Sequence, residues 1–382
     1  MANKDIFCAA PFIHNYIGAN GKNRVCCVAD KKSYQTYDLK DWNSKDYQYI
    51  RNHMLTSDKW LPECEDCRLH ESVLESGSYR QAQNKMWKDL GSPSLDVIDG
   101  NILGVPLTYD LRLNNMCNLS CRMCGPNASS QLYKESLEHP ELWPGEHVDE
   151  SHKRNIDHIL DNASFIRDIK LLGGEPTIQP EVREILQKLI DCDNTNIKVS
   201  ITTNGTNTHP EFYNLLKKFK RVFISFSIDS YGEKLKYIRG GSNFHKIWKN
   251  VQKIINLDWA GESSFKIQQV VMIYNVFDFW ELRQEIKKLN LPITHRSWVV
   301  HNPETYCIQN IPQKWKDVVI KILKENNAYE DEKHIVDFMN NQKENIDLLK
   351  SFKARSNLMD MARNIYLKDY HPLCHEMLEE IG

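Results

Sequence analysis

The sequence predicts an α/β protein: a partial (β/α)6 barrel of TIM type with a small cysteine-rich N-terminal domain and a helical C-terminal extension. Three observations carry this expectation. Short apolar runs alternate six times with helix-like stretches from Pro106 onward. Five of the eleven cysteines crowd the first 80 residues, where long periodic runs are scarce. Beyond about His301 the pattern is mainly that of amphipathic helices, beginning with QKWKDVVIKILKEN.

The candidate strands are Leu107–Leu113, Ile166–Leu172, Ile197–Thr203, Val222–Ile228, Phe265–Ile273 and Ile293–Val300. Between them lie helical stretches such as EVREILQKLI and EFYNLLKKF, the second opened by His209-Pro210. Strand and helix in alternation predict βαβ units and a parallel sheet, and right-handed crossovers curl such a sheet toward a barrel. In barrels of this kind the chemistry lies at the C-terminal ends of the strands. The expected divisions are an N-terminal domain over 1–80, a polar linker over 81–105 broken at Gly91–Pro93, the barrel over 106–300, and the extension over 301–382. The charged helices of the extension read as solvated faces.

Composition narrows the function classes. Apolar residues make up 41% and charged residues 26%, and the formal net charge is −2. That is ordinary for a globular protein, with no global attraction to nucleic acid. No apolar run approaches the ~20 residues that span a bilayer, and MANKDIFCAAPF lacks the pattern of a secretion signal. The expectation is a cytoplasmic protein with no membrane contact and no nucleic-acid partner. Eleven cysteines in a reducing compartment point to metal ligation rather than structural disulfides.

Directly after the first candidate strand, LRLNNMCNLSCRMCGP carries Cys117, Cys121 and Cys124 in a C-x3-C-x2-C arrangement. Thiolates are the usual protein ligands of iron–sulfur clusters, and three of them leave one iron of a four-iron cluster open. Three close cysteines alone also suit a zinc site or three buried thiols. Other strand ends then bear on the choice. The second ends in Gly173-Gly174-Glu175-Pro176, the third in Thr202-Thr203-Asn204-Gly205, and the fourth in Ser227-Ile228-Asp229; Arg239 follows in YIRGGS and Asn275 in MIYN.

Taken in this order, these motifs resemble the radical S-adenosylmethionine superfamily. The resemblance implies a 4Fe–4S cluster on Cys117, Cys121 and Cys124 whose open iron binds the methionine moiety of S-adenosylmethionine. Reductive cleavage then yields a 5′-deoxyadenosyl radical that abstracts hydrogen from a substrate. It also implies cofactor contacts from Met123, Gly173, Gly174, Glu175, Thr203, Asn204, Ser227, Asp229, Arg239 and Asn275. Met123 departs from the pattern, since many members carry an aromatic residue just before the third cysteine; a thioether still packs on a π face.

A second set lies near the N-terminus. Cys8, Gly21 and Cys26 stand in a C-x12-G-x4-C spacing, and Cys64 and Cys67 form C-x2-C. This is similar to the Twitch module, the shortened form of SPASM, in which the glycine turns a hairpin between ligand-bearing strands. The resemblance implies a second, auxiliary 4Fe–4S cluster on Cys8, Cys26, Cys64 and Cys67, here ahead of the barrel instead of after it. A structural zinc knuckle uses the same four ligands. Cys27 reads as non-ligating, pointing away from its neighbour. Cys192, Cys307 and Cys374 read as inert thiols, with Cys307 nearest the barrel mouth.

The function expected on these grounds is radical cleavage of S-adenosylmethionine followed by hydrogen abstraction from a peptide or protein. The electron donor expected is of flavodoxin or ferredoxin type. The rival within the superfamily is a small-molecule or nucleotide dehydrogenase or cyclase. The rival outside it is a non-catalytic adaptor stabilised by zinc or a cluster. The catalytic residue that quenches the product radical is not legible.

Overall fold

A computed structural model describes residues 6–18, 23–29, 42–73, 77–93, 97–98, 100–102, 104–144, 156–289, 291–301 and 303–381. All six expected strands are present within two or three residues of their expected bounds. With two short N-terminal strands they make one sheet: β1 (His14–Ile17), β2 (Asn23–Arg24), β3 (Thr108–Arg112), β4 (Asp168–Leu172), β5 (Lys198–Thr203), β6 (Arg221–Ser227), β7 (Glu262–Val271) and β8 (Ile293–Val299). The spatial order is β8-β7-β6-β5-β4-β3-β1-β2. Every pairing is parallel except β1 with β2, so seven strands run in one direction.

One face of this sheet alternates with the other in burial, as the pleat requires. Ile169 and Leu171, Val199 and Ile201, Val222, Ile224 and Phe226, and Phe265 and Ile267 are fully buried. They pack with Ile185 and Leu189 of helix Pro180–Asp191, Phe212 and Leu216 of helix Pro210–Leu216, and Ile247, Val251 and Ile254 of helix Phe244–Ile255. Each such side chain contributes about 1.5–3 kcal/mol on leaving water. The opposite face is polar and half open: Lys170, Lys198, Ser200, Ser225, Ser227, Lys266 and Gln268 line it. It is the concave side of a partial barrel.

The N-terminal segment differs from the expectation of a six-stranded barrel with a coreless module beside it. Strand β1 pairs in parallel with β3 from His14↔Thr108 to Ile17↔Leu111 and so adds a seventh parallel strand. Phe12, Ile13, Tyr47, Ile50 and Met54 belong to the same apolar cluster as the helix-facing side of the sheet. Four residues, all buried, are too few to show a period of two, and the strand is invisible to pattern reading.

The expected linker also contains a helix, Tyr79–Asp89, over its first third. Its start is a reciprocal capping box, Ser78 with Gln81, a signal present in the sequence that satisfies two orphan N–H groups. The glycine at 21 lies outside the described residues.

The C-terminal extension is helical as expected, with Gln313–Glu325, Lys333–Asn340, Ile346–Arg363 and Pro372–Glu380 as its longer helices. It buries a second apolar cluster against the segment after β7, including Met272, Ile273, Tyr274 and Phe279.

Candidate functional site

The loop after β3 carries the three closely spaced cysteines and is held by short polar contacts. The Cys117 N–H donates to Ser130 Oγ (3.2 Å), and that hydroxyl donates back to the Cys117 carbonyl (3.0 Å). The Ser129 hydroxyl donates to the Leu119 carbonyl at 2.6 Å. Ser129 also caps helix Ser130–Glu138, so the helix start and the cysteine loop are fastened together. Cys121 lies in a two-residue antiparallel bridge opposite Arg239. The Cys124 N–H donates to the Cys121 carbonyl (3.1 Å) and closes the turn.

Arg239 stands between the cysteines and the end of β6. Its Nε donates to Asp229 Oδ2 at 2.7 Å, and its Nη1 lies 3.8 Å from Cys121 Sγ. The second Asp229 oxygen accepts from the Val270 N–H at 3.0 Å. A hydrogen bond from Cys124, with help from the Arg239 charge, draws the Cys121 thiol below its ordinary value despite burial. Burial pushes Cys117 the other way, up to about 11. Three thiols beside a guanidinium form a donor set that a cationic cluster would complete, since metal coordination deprotonates thiols outright.

The Gly173-Gly174-Glu175 turn packs directly on this loop. The Glu175 N–H donates to the Met116 carbonyl at 2.7 Å. Gly174 has a φ of +46°, and a Cβ there would stand 2.2 Å from the Met116 oxygen. Gly173 has a φ of +73°, with Arg112 Cβ 2.5 Å from where its own Cβ would be. Only glycine fits either position.

The Glu175 carboxylate is buried and bridges β4 and β5 ends. Oε1 accepts from the Thr203 hydroxyl (2.6 Å), the Thr177 hydroxyl (2.6 Å) and the Thr177 N–H, while Oε2 accepts from the Asn204 N–H (2.7 Å). The Asn204 amide then donates to Asn118 Oδ1 at 2.9 Å, next to Cys117. Glu175, Thr203 and Asn204 are thus gathered at one place, and among the described residues Oε2 accepts one hydrogen bond, short of its capacity.

Ser227 lies half-buried on the concave face at the end of β6, and Met123 packs partly buried against the C-terminal apolar cluster. Asn275 serves the backbone: its amide donates to the Asp229 and Val270 carbonyls and accepts from the Met272 N–H. Both amide hydrogens are committed, so the contact it offers is the positioning of Asp229.

The residues that the sequence did not reveal come from the C-terminal extension. Arg122, between Cys121 and Cys124, is fully buried, with Nη2 2.7 Å from Asp360 and Nε donating to the Tyr237 carbonyl at 2.8 Å. Its guanidinium lies over the Tyr237 ring at 3.7 Å. Arg363 forms a two-point ion pair with Glu135 (2.6 and 2.7 Å) and donates to the Ser120 carbonyl (3.0 Å). Helix Ile346–Arg363 is therefore more than a solvated face. Its i,i+3 carboxylate and guanidinium, Asp360 and Arg363, brace the cysteine loop across 243 residues of sequence, a separation that no local pattern records.

The second cysteine set converges too. Cys8, Cys26, Cys64 and Cys67 line one cavity with Trp60, Tyr79 and Arg80. Arg80 and Asn84 of helix Tyr79–Asp89 both donate to the Phe7 carbonyl (2.9 and 2.8 Å), and the Asn84 amide oxygen accepts from the Ala9 N–H (2.8 Å). Cys8 is clamped on both sides. Arg80 also pairs with Glu71 at 2.6 Å, on the helix that carries Cys67. Burial pushes Cys8 and Cys64 up to about 12. Among the described residues no three metal-ligating side chains converge closely enough for a single ion.

Cys27 is not among the residues lining this cavity; it interacts with Tyr79 and lies near Asp110, Lys170 and Arg112 of the concave face. Cys307 donates to Gln309 (3.5 Å) and Cys374 to the Ile273 carbonyl (3.3 Å), both buried. All eleven cysteines are free thiols.

Residues 111–286 match the Radical SAM superfamily, and the chain is a radical SAM enzyme. It is 25% identical over 232 residues to a probable GTP 3′,8-cyclase of Pyrococcus horikoshii, covering 57% of this chain and 68% of that protein. It is 26% identical over 310 residues to the antilisterial bacteriocin subtilosin biosynthesis protein AlbA of Bacillus subtilis, covering 76% of this chain and 64% of that protein.

Among solved structures, native anSMEcpe with bound AdoMet matches at a TM-score of 0.40 and 18% identity, over 63% of this chain and 65% of that one. Streptococcus suis SuiB bound to S-adenosylmethionine matches at 0.39 and 15%, over 87% and 71%. The family implies a 4Fe–4S cluster and S-adenosylmethionine. Among the described residues no helix is long and apolar enough to cross a membrane.

Proposed function

We propose that this chain reductively cleaves S-adenosylmethionine at a 4Fe–4S cluster ligated by Cys117, Cys121 and Cys124, and that the resulting radical abstracts hydrogen from a peptide or protein. The observation that carries this is convergence. The three-cysteine loop, the glycine turn, Thr203-Asn204 and the Asp229–Arg239 pair come from the C-terminal ends of four different strands. An open iron, once the cluster is bound, supplies the electron and a place for the amino and carboxylate groups of the methionine moiety.

The chain's own residues do the rest. Gly173 and Gly174 let the backbone approach closely, and the Glu175 carboxylate, its Oε2 short of its hydrogen-bonding capacity, suits an ammonium. Arg239 balances thiolate charge and, with Asp229 fixing its Nε, keeps Nη1 toward the site. Ser227 offers a polar edge on the concave side, Thr203 and Asn204 hold the Glu175 carboxylate, and Met123 offers a soft surface for the adenine. Asn275 acts through Asp229. The polar concave face opens to the substrate.

The cavity lined by Cys8, Cys26, Cys64 and Cys67 supports an auxiliary 4Fe–4S cluster in a Twitch-like module, with residues 1–80 as its frame and 106–300 as the barrel. The peptide reading draws on the AlbA match, which extends over 76% of the chain. The GTP 3′,8-cyclase match favours the second reading, a nucleotide substrate, over a shorter span. A flavodoxin- or ferredoxin-type protein is the electron donor, and the cytoplasm the compartment.

Anaerobic reconstitution tests the proposal. About eight irons per chain are expected for two four-iron clusters, with 5′-deoxyadenosine formed on reduction with S-adenosylmethionine. Replacing Cys117, Cys121 and Cys124 by Ala abolishes that product. Replacing Cys64 and Cys67 removes about half the iron. A fully reconstituted, reducible sample that forms no 5′-deoxyadenosine leaves the adaptor reading; stoichiometric zinc at Cys64 and Cys67 removes the auxiliary cluster.

A further inference from the structure

The concave face of the sheet carries more positive charge than it neutralises. Sheet register places Asp110, Lys170 and Ser200 side by side on β3, β4 and β5, with Lys266 on β7 and Arg296 on β8 pointing to the same side. The alternate residues, Ile169, Ile224 and Ile267, are the fully buried ones on the helix side.

At the N-terminal ends the charges are paired. Lys198 meets Asp168 at 3.0 Å, and Lys170 shares Asp110 with Arg112 at 3.4 Å each. Higher up they are not. Among the described residues Lys266 and Arg296 have no carboxylate and no hydrogen-bond acceptor. Burial, then the charges of Arg296 and Lys170, pull the Lys266 ammonium below its ordinary value. Three strand spacings separate Lys170 from Lys266, about 14 Å of arc at the usual inter-strand distance. Lys266 and Arg296 are much nearer, diagonal neighbours on adjacent strands, since Lys266 pairs with Thr294 and Arg296 with Gln268. Holding like charges together without a counterion is unfavourable, and an anion between them relieves it.

Arg296 is also prepared for planar recognition. Its guanidinium lies 3.7 Å from the Trp298 ring centroid, and Trp298 is exposed on the same side of the same strand. Stacking holds the plane of the guanidinium and leaves its edge of N–H donors free, the arrangement that grips a carboxylate or phosphate at two points.

We propose that Lys266 and Arg296 seat an oxyanion, phosphate or carboxylate, of the molecule on which the radical acts. This rests on the reading that the concave face receives the substrate. The anion would lie below the strand ends that carry the cysteine loop and so fix which part of the substrate is presented upward.

The test is calorimetric titration of the reconstituted protein, anaerobic and without S-adenosylmethionine, at low salt. The probes are pyrophosphate and tricarballylate, with the cluster absorbance followed throughout. Saturable binding of pyrophosphate alone assigns a phosphate, and binding of tricarballylate alone a carboxylate; binding of both supports an oxyanion site without that preference. Lys266→Met and Arg296→Gln are each expected to weaken the bound probe about tenfold or more. The exposed control Lys321→Ala is expected to leave it unchanged, and circular dichroism checks that the variants fold. No saturable binding of either probe up to about 10 mM, or binding indifferent to both variants, overturns the inference. Cofactor cleavage by the unaltered protein is read separately: anion binding without cleavage removes the functional reading, and cleavage without anion binding removes this one.

Discussion

The contact most open to a quantitative test is the buried pair that fastens the cysteine loop to the C-terminal extension. Asp360 accepts from three donors: Arg122 Nη2 at 2.7 Å, the Tyr237 hydroxyl at 2.8 Å and the Leu367 N–H at 2.7 Å. Arg122 is 1% exposed, with a guanidinium that no solvent can rehydrate. In Asp360→Ala the carboxylate vanishes while the buried charge, hydroxyl and amide remain. Removing one partner of such a pair costs about 3–5 kcal/mol, mostly the penalty of the charge left behind.

That is a large share of the roughly 5–15 kcal/mol of a typical domain. The assay is urea unfolding of the reconstituted protein, with iron retention measured in parallel, because Arg122 sits between two of the proposed ligands. The expected result is a midpoint displaced by that amount and faster iron loss. Asp360→Asn, which keeps the shape and one acceptor oxygen, falls between the variant and the unaltered protein. A loss below about 1 kcal/mol in Asp360→Ala, the range of an exposed pair, with iron retained normally, refutes the bracing role.

Other outcomes follow from the same physics. Gly174→Ala drives a Cβ to 2.2 Å from the Met116 oxygen at a left-handed backbone angle; it is expected to lower iron bound by the barrel cluster, measured per chain after reconstitution, and unaltered iron would contradict the close approach. Gln81→Ala removes half of the capping box and is expected to cost about 1 kcal/mol in urea unfolding, with no effect on S-adenosylmethionine cleavage.

Burial holds His14 neutral, with its proton affinity lowered to about 4 from an ordinary 6.5. Between those values the unfolded chain binds the proton that the folded one refuses. Stability is therefore intact above pH 6.5 and falls as the pH drops toward 4, by about 2 kcal/mol at pH 5. Urea midpoints at pH 7 and 5 test this, and His14→Gln is expected to reduce the difference. Equal slopes for the two proteins would count against a buried neutral His14.

What local pattern determines here is considerable, and the reason is physical. Strands β3 to β8 were legible because each is five to ten residues of apolar alternation bounded by helix signals. The Cys117, Cys121 and Cys124 loop and the glycine turn were legible because ligand spacing and a need for positive φ are properties of a few consecutive residues. Tertiary structure alone decided the rest. Strand β1 is four buried residues whose partner, β3, lies about 90 residues away, so only the pairing register reveals it.

Likewise, nothing near Arg122 announces Asp360, and nothing near Lys266 announces Arg296 or Lys170. Buried charge pairs and convergent cations are set by which side chains the fold brings together, and that depends on contacts distant in sequence. The amino-acid order determined the class of chemistry this protein carries. The packing of its last segment onto the barrel determined how the cysteine loop is held, and the register of the strands determined which cations share the concave face.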